Sequence, residues 1–237
     1  NRIIEVEVLN NTAICLFRTG KYEESLKHLQ EALEIGKKLD ATTTKGTTLN
    51  NMGLIYHNRG DFKNAMECYS SARKIHRENG KKRSEGTAIG NIGIIHKNCG
   101  EYEKSKECQM EALRIHKEIG HRVGEGLALL NLGNLYRVEN NLHRAEGYYN
   151  NALKLFRETG DRVNECAVLS NIGKIHMVKG EYIKAMLYYE KALALCRNIG
   201  DPYSEAVILN NIGLLNMEKG DYKKAIENLN RSNELCL

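Results

Sequence analysis

The sequence repeats itself every forty residues from end to end, and this period constrains the fold more than any other feature. Shifted by forty positions, the chain aligns with itself without a gap. An asparagine recurs at one position in six successive copies: Asn11, Asn51, Asn91, Asn131, Asn171 and Asn211. A period of this kind indicates stacked supersecondary units, each of which contacts mainly its neighbours.

Glycines punctuate each copy at two further points. A first glycine follows the asparagine by two residues, as at Gly53, with Ala13 in the first copy. A second glycine lies seven residues after the first, as at Gly60, and Asn140 replaces it in the fourth copy. Glycine and asparagine both tolerate the left-handed conformation that ends a helix. In most copies an acidic residue or a lysine and then an aromatic follow, as in Asp61 and Phe62, where the next helix is expected to begin.

The apolar residues between these stops recur three and four positions apart, which predicts amphipathic helices. Each copy therefore predicts a helix A, a glycine stop, a helix B and a second stop. A lone hairpin of this kind cannot bury both faces, whereas stacking on its neighbours can. In the second copy helix A carries Leu49, Met52, Ile55 and Tyr56, and helix B carries Phe62, Ala65, Tyr69, Ala72 and Ile75.

These residues resemble the signature of the tetratricopeptide repeat (TPR) over essentially the whole chain. The sequence departs from that pattern in having Leu49 where an aromatic is usual and in lacking the proline after helix B. Its period exceeds the usual thirty-four residues, and in this it resembles the G-protein signalling modulators and, more loosely, kinesin light chain. The residues that carry the resemblance are Leu49, Met52, Gly53, Tyr56, Gly60, Phe62, Ala65, Tyr69 and Ala72.

The resemblance implies an all-α fold, a right-handed α-solenoid superhelix of six tandem helix-turn-helix hairpins with the A helices lining its concave side. We predict a single TPR domain over residues 1–237. No polar capping helix follows the sixth copy, so we expect a fragment of a longer protein whose uncapped ends favour self-association. The predicted repeats are about 1–40, 41–80, 81–120, 121–160, 161–200 and 201–237.

Composition narrows the function classes. Lysine and arginine exceed aspartate and glutamate by only five, which is too few for a dedicated nucleic-acid footprint. Seven cysteines without a C-x-x-C pair read as reduced, buried thiols of a cytoplasmic protein. No segment has the apolar length of a membrane span. The histidines form no pair four residues apart on a helix, so we expect no metal and no cofactor.

The asparagine line is the main candidate for function. A carboxamide can bond both the N–H and the C=O of a passing backbone, so a row of them suits an extended peptide. With helices about 8–10 Å apart and about 3.3 Å per peptide residue, six repeats would hold roughly fifteen residues. Asn134 lies on the same stripe as Asn131. An alternative remains open, in which the asparagines bond the neighbouring hairpin's backbone and fix the repeat geometry.

Side chains that flank the line would supply specificity. His57, Lys97, Arg137 and Lys174 make the middle of the stripe basic, which favours an acidic or carboxylate-bearing ligand, although an ordinary solvated face is an equal interpretation. The apolar members Leu54 and Ile94 would offer shallow pockets for anchor residues.

We therefore predict a protein-interaction scaffold and no enzyme, because every polar cluster recurs with the period, whereas catalytic constellations are usually unique. Two other functions stay open. One is a regulatory sensor array that controls an attached effector domain. The other is a helical-repeat nucleic-acid binder, which would need stacking aromatics on the inner face.

Overall fold

The computed structural model describes residues 2–39 and 42–235, and it confirms the all-α prediction. The described residues form twelve α-helices, and no strand occurs among them. In chain order the helices are α1 (Arg2–Arg18), α2 (Tyr22–Lys38), α3 (Thr42–Asn58), α4 (Phe62–Glu78), α5 (Lys82–Asn98), α6 (Tyr102–Glu118), α7 (Arg122–Val138), α8 (Leu142–Thr159), α9 (Arg162–Val178), α10 (Tyr182–Ile199), α11 (Pro202–Glu218) and α12 (Tyr222–Glu234).

The chain divides into two compact units, residues 1–124 and 125–237, with the boundary inside α7. In the first unit α1 packs on α2, α3 on α4 and α5 on α6, and each hairpin also contacts the next. In the second unit α9 packs on α10 and α11 on α12, while α8 contacts α9 and α10 contacts α11. Odd-numbered helices are the predicted A helices and even-numbered ones the B helices. The hairpin scheme is thus confirmed within each unit, and the single domain over residues 1–237 stays a prediction.

The turn from helix A to helix B has the conformation that the sequence predicts. Gly60 has a φ of +78°, and Asn140, which replaces glycine in the fourth copy, has a φ of +59°. The next residue caps helix B where it is short and acidic: the Asp61 carboxylate accepts a hydrogen bond from the Asn64 backbone N–H at 3.1 Å. Glu101, at the same position, makes no such bond, because its longer side chain reaches His96 and Lys104 instead.

Within a hairpin, a glycine of helix A lies under an aromatic ring of helix B. A Cβ placed on Gly133 would lie 2.5 Å from the ring of Tyr149, which is fully buried. No side chain fits at such a glycine, so the two helices approach closely. The same glycine–tyrosine contact joins Gly53 to Tyr69 and Gly173 to Tyr189.

Successive hairpins are joined by an ion pair between the end of helix B and the start of the next helix A. The Arg77 Nε–H donates to Glu85 at 2.7 Å, and the Glu85 side chain is almost completely buried. Since a buried carboxylate needs a partner, this pair fixes how one hairpin follows another. The same pair recurs as Arg157–Glu165 and Arg197–Glu205, both at 2.8 Å.

The cysteines only partly fit the prediction of buried thiols. Cys166 and Cys196 are buried, and burial raises the pKa of Cys166 to about 12, which keeps that thiol protonated. Cys15 and Cys99 are exposed, because they lie on helix ends and faces that no neighbour covers. The six described cysteines are free, and Cys236 lies outside the described residues.

Two histidines face each other at the end of α6. His116 is buried beside Gly86, and its Nδ1 lies 3.3 Å from Nδ1 of His121. Burial lowers the pKa of His116 to about 4, and the charges of His121 and Arg83 add to this effect. The folded chain therefore holds His116 in its neutral form near neutral pH.

We predict that Gly133→Ala lowers the unfolding free energy by about 1–3 kcal/mol, because the added methyl overlaps a buried ring that has no room to move. Gly147→Ala is the matched control: nothing lies within 4 Å of its Cβ position, so alanine should stabilise the helix by about 0.5–1 kcal/mol. Urea unfolding followed by circular dichroism measures both. Equal changes in the two variants would contradict the close contact.

We also predict that stability falls on acidification. The unfolded chain protonates His116 near its ordinary pKa of 6.5 and the folded chain only near 4, so the unfolded state binds more protons between these values. The unfolding free energy should drop by about 1–2 kcal/mol from pH 7 to pH 5. His116→Gln should make this drop smaller, whereas the exposed control His143→Gln should keep it. A slope equal in both variants would argue against the histidine pair as its source.

Candidate functional site

The asparagines of the predicted line all lie on A helices, but their exposure differs. Asn11 is exposed and Asn211 is buried, with 7% of its surface accessible. The other four are half-buried: Asn51, Asn91, Asn131 and Asn171. Most side chains of the asparagine line are therefore partly covered by neighbouring residues.

Most of these asparagines join their helix to the preceding A helix. The amide of Asn51 donates to the side-chain oxygen of Asn10 at 3.0 Å, and the amide of Asn91 donates to that of Asn50 at 3.2 Å. In the second unit the Asn211 amide donates to the Ser170 hydroxyl at 3.2 Å. The acceptor lies forty-one residues earlier in each case. The partners are side chains, and not the backbone groups that the alternative interpretation named.

Asn171 uses a different acceptor. The position forty-one residues earlier is Leu130, whose side chain has no polar atom. The Asn171 amide donates instead to the Asn134 side-chain oxygen at 3.3 Å. The Tyr149 hydroxyl donates to the same oxygen at 2.8 Å. Asn134 is thus held from two sides, by a neighbouring A helix and by the tyrosine of its own hairpin.

These bonds leave part of each carboxamide for a ligand. An asparagine side chain has two N–H donors and an oxygen with two lone pairs, and the inter-helix bond uses one N–H. Asn51, Asn91 and Asn171 therefore combine a structural bond with remaining polar capacity at a half-buried surface. Their role in binding a peptide stays a prediction.

Two cations lie side by side on this face of the second unit. Arg137 of α7 and Lys174 of α9 are both half-buried. Burial lowers the pKa of Lys174, and the positive charge of Arg137 lowers it further. The Arg137 guanidinium hydrogen-bonds the Tyr149 hydroxyl, while its Nε is buried and has no hydrogen-bond partner in the described part of the chain. Across residues 2–39 and 42–235, neither cation forms an ion pair with a carboxylate.

In the first unit the position of Arg137 is occupied by His57 in the second copy and by Lys97 in the third. Nε2 of His57 lies 2.9 Å from Nδ2 of Asn98, and burial, then the charge of Lys97, lowers the pKa of His57. His57 is therefore mainly neutral near pH 7. Leu54 of α3 and Ile94 of α5 are half-buried, and their role as pockets for anchor residues stays a prediction.

Within the described ranges, no group of three or more histidine, cysteine, aspartate or glutamate side chains is placed to hold a metal ion. None of the helices described is both long and apolar enough to cross a bilayer.

Comparison with known families agrees with this architecture. The model of the tetratricopeptide repeat family matches residues 5–78, 84–158 and 164–236. The chain therefore belongs to the tetratricopeptide repeat family, as the sequence motifs indicated. No relative with a significant match was found among curated protein sequences.

Solved structures show the same fold at low sequence identity. BtubC (BKLC) from P. vanneervenii is 21% identical with a TM-score of 0.75, and the match covers 90% of each chain. A Rap protein complexed with competence and sporulation factor is 14% identical with a TM-score of 0.80, over 99% of this chain and 76% of that one. The Rap conjugation gene regulator of plasmid pLS20, in complex with the Phr* peptide, is 14% identical with a TM-score of 0.75, over 99% and 74%.

Sequence reasoning did not identify the partners that hold the site. Asn10, Asn50 and Ser170 each lie directly before an asparagine of the line, but the residue type at this position varies between copies, so the period did not identify them as hydrogen-bond partners. Tyr149, the fourth-copy equivalent of Tyr69, was not predicted as a site residue, yet its hydroxyl reaches Asn134 and Arg137. A buried tyrosine usually places its hydroxyl on a polar partner, and that rule could have pointed to it.

We predict that Asn211→Ala destabilises the second unit relative to Asn210→Ala by about 1 kcal/mol, because it removes a buried inter-helix hydrogen bond. Asn210 is the adjacent, exposed residue of the same helix, so both variants share the same gain in helix propensity. Urea unfolding of the two variants gives the difference. A difference near zero would mean that this bond does not help to hold the A helices together.

Proposed function

We propose that the chain is a protein-interaction module that binds an extended segment of a partner along the exposed face of its A helices, with a carboxylate of that segment held by Arg137 and Lys174. The observation that carries the proposal is this half-buried pair of cations. Placing two like charges together in a partly desolvated site is costly, and a carboxylate between them would offset that cost.

The surrounding polar groups support a peptide rather than a small anion. Asn134 and Asn171 flank the cations: Asn134 keeps its amide N–H donors for a main chain, and Asn171 keeps one N–H and its side-chain oxygen. An extended segment presents an N–H or a C=O every few ångströms, which matches side chains repeated along successive helices.

The comparisons add support of a general kind. Two of the Rap structures with this fold are complexes, one with competence and sporulation factor and one with the Phr* peptide. The fold thus accommodates such guests in other proteins. The acidic chemistry of the guest is proposed here from the charges of this chain alone.

The test starts from a phage-displayed library of random twelve-residue peptides, selected on the whole chain. We predict enrichment of peptides with aspartate or glutamate, and an affinity loss of about tenfold or more by titration calorimetry for Lys174→Glu, since a charge-assisted contact is lost. Lys223→Glu, an exposed residue on helix B, is the charge-matched control and should bind as the wild type does.

Two results would overturn the proposal. One is a selection in which no peptide is enriched over bare support. The other is equal affinity of the Lys174→Glu and Lys223→Glu variants for the enriched peptides. Lys174 tests peptide binding better than the asparagines do, because Asn91 and Asn171 also join helices and their substitution would disturb the fold.

A further inference from the structure

A cavity of about 240 Å³ opens beside the cationic pair, between α9 and α11. Cys166 and Ile208, both buried, form its floor. Ala167 and Val207 form walls from the two helices, and Lys174 stands at one end. The lining is mostly apolar, and Lys174 is the one charged residue among the described residues that line it.

The cavity exists because this copy carries small residues where the preceding copy carries large ones. Ala167 and Ser170 replace Leu127 and Leu130 of the fourth copy. A methyl and a hydroxymethyl group leave space that two leucine side chains would fill.

An exposed tyrosine borders the same space. Pro202, the chain's single proline, is the first residue of α11, and Asp201 caps that helix. This start is rigid, since proline presets the helical φ. It holds Tyr203, which is 76% exposed, at the cavity edge. An exposed aromatic next to an apolar cavity is typical of a binding surface.

We propose that this cavity receives a large apolar side chain of the guest, and that the guest carries an acidic residue about three positions from it. The inference rests on the proposed function and specifies its partner. The spacing follows from the row of A helices: the cavity lies between α9 and α11 and the two cations lie on α7 and α9, so the two sites are about one helix spacing, or 8–10 Å, apart. An extended peptide covers that distance in about three residues. An acidic segment with one apolar anchor therefore complements both the charge and the shape of this surface.

The charge balance favours a protein segment over a nucleic acid. Residues 125–237 contain 14 lysine and arginine residues and 14 aspartate and glutamate residues, so this unit has no surplus for a phosphate backbone. Two cations beside an apolar cavity suit a single carboxylate and one anchor. A row of phosphates would need a longer basic track.

The test uses an enriched peptide that contains both an acidic and a large apolar residue. Ala167→Trp fills the cavity from an exposed position, and Thr87→Trp places the same side chain at the equivalent exposed position of the first unit. We expect Ala167→Trp to weaken binding by about tenfold or more, as loss of a buried anchor should, and Thr87→Trp to leave it unchanged. Replacing the peptide's apolar residue by alanine should weaken binding to the wild type and have no added effect on Ala167→Trp.

The outcomes separate this inference from the proposed function. If Lys174→Glu weakens binding and Ala167→Trp does not, the cavity is unused and the inference falls while the proposed function stands. If no peptide is enriched, both fall. Binding of a fluorescein-labelled twelve-nucleotide polyuridine that Ala167→Trp abolishes would assign the cavity to nucleic acid and overturn the inference.

Discussion

The contact between a helix A glycine and a helix B tyrosine supports both the fold and the candidate site. At Gly133 the ring of Tyr149 lies where a side chain would otherwise stand, so the two helices of the hairpin pack closely. The same ring carries its hydroxyl through the hairpin to Asn134 and Arg137. Packing at the core thereby fixes the positions of polar groups at the surface. Any change in this contact would move the site together with the hairpin.

The period was sufficient to predict the helices, because glycine stops and apolar spacing act locally and recur in every copy. Turns at Gly60 and Asn140 have the expected positive φ. The site was predicted less well, because hydrogen-bond partners depend on rotamers and on residues that vary between copies. Asn171 bonds Asn134 only because Leu130 offers no acceptor. The cavity beside α9 was missed for the same reason, since small residues such as Ala167 look unremarkable in a helix.

A distinction between repeated and unrepeated features runs through the structure. Repeated residues, such as the glycines and the Arg–Glu pairs between hairpins, hold one hairpin to the next. Asn51, Asn91 and Asn171 have both roles, because each donates one N–H to a neighbouring A helix and keeps the rest of its polar capacity. Unrepeated residues lie in the second unit, where Arg137 and Lys174 add two cations and Tyr203 adds an aromatic ring to one part of the A-helix face.

The most direct measurement of the central claim is the pKa of Lys174, followed by NMR of its side-chain nitrogen in the free chain and in the chain saturated with an enriched acidic peptide. We expect the pKa of Lys174 to lie below the ordinary lysine value in the free chain, because of burial and of the positive charge of Arg137. We expect it to rise clearly when a carboxylate binds between the two cations. An unchanged Lys174 pKa in the saturated complex would show that the peptide's acidic group lies elsewhere.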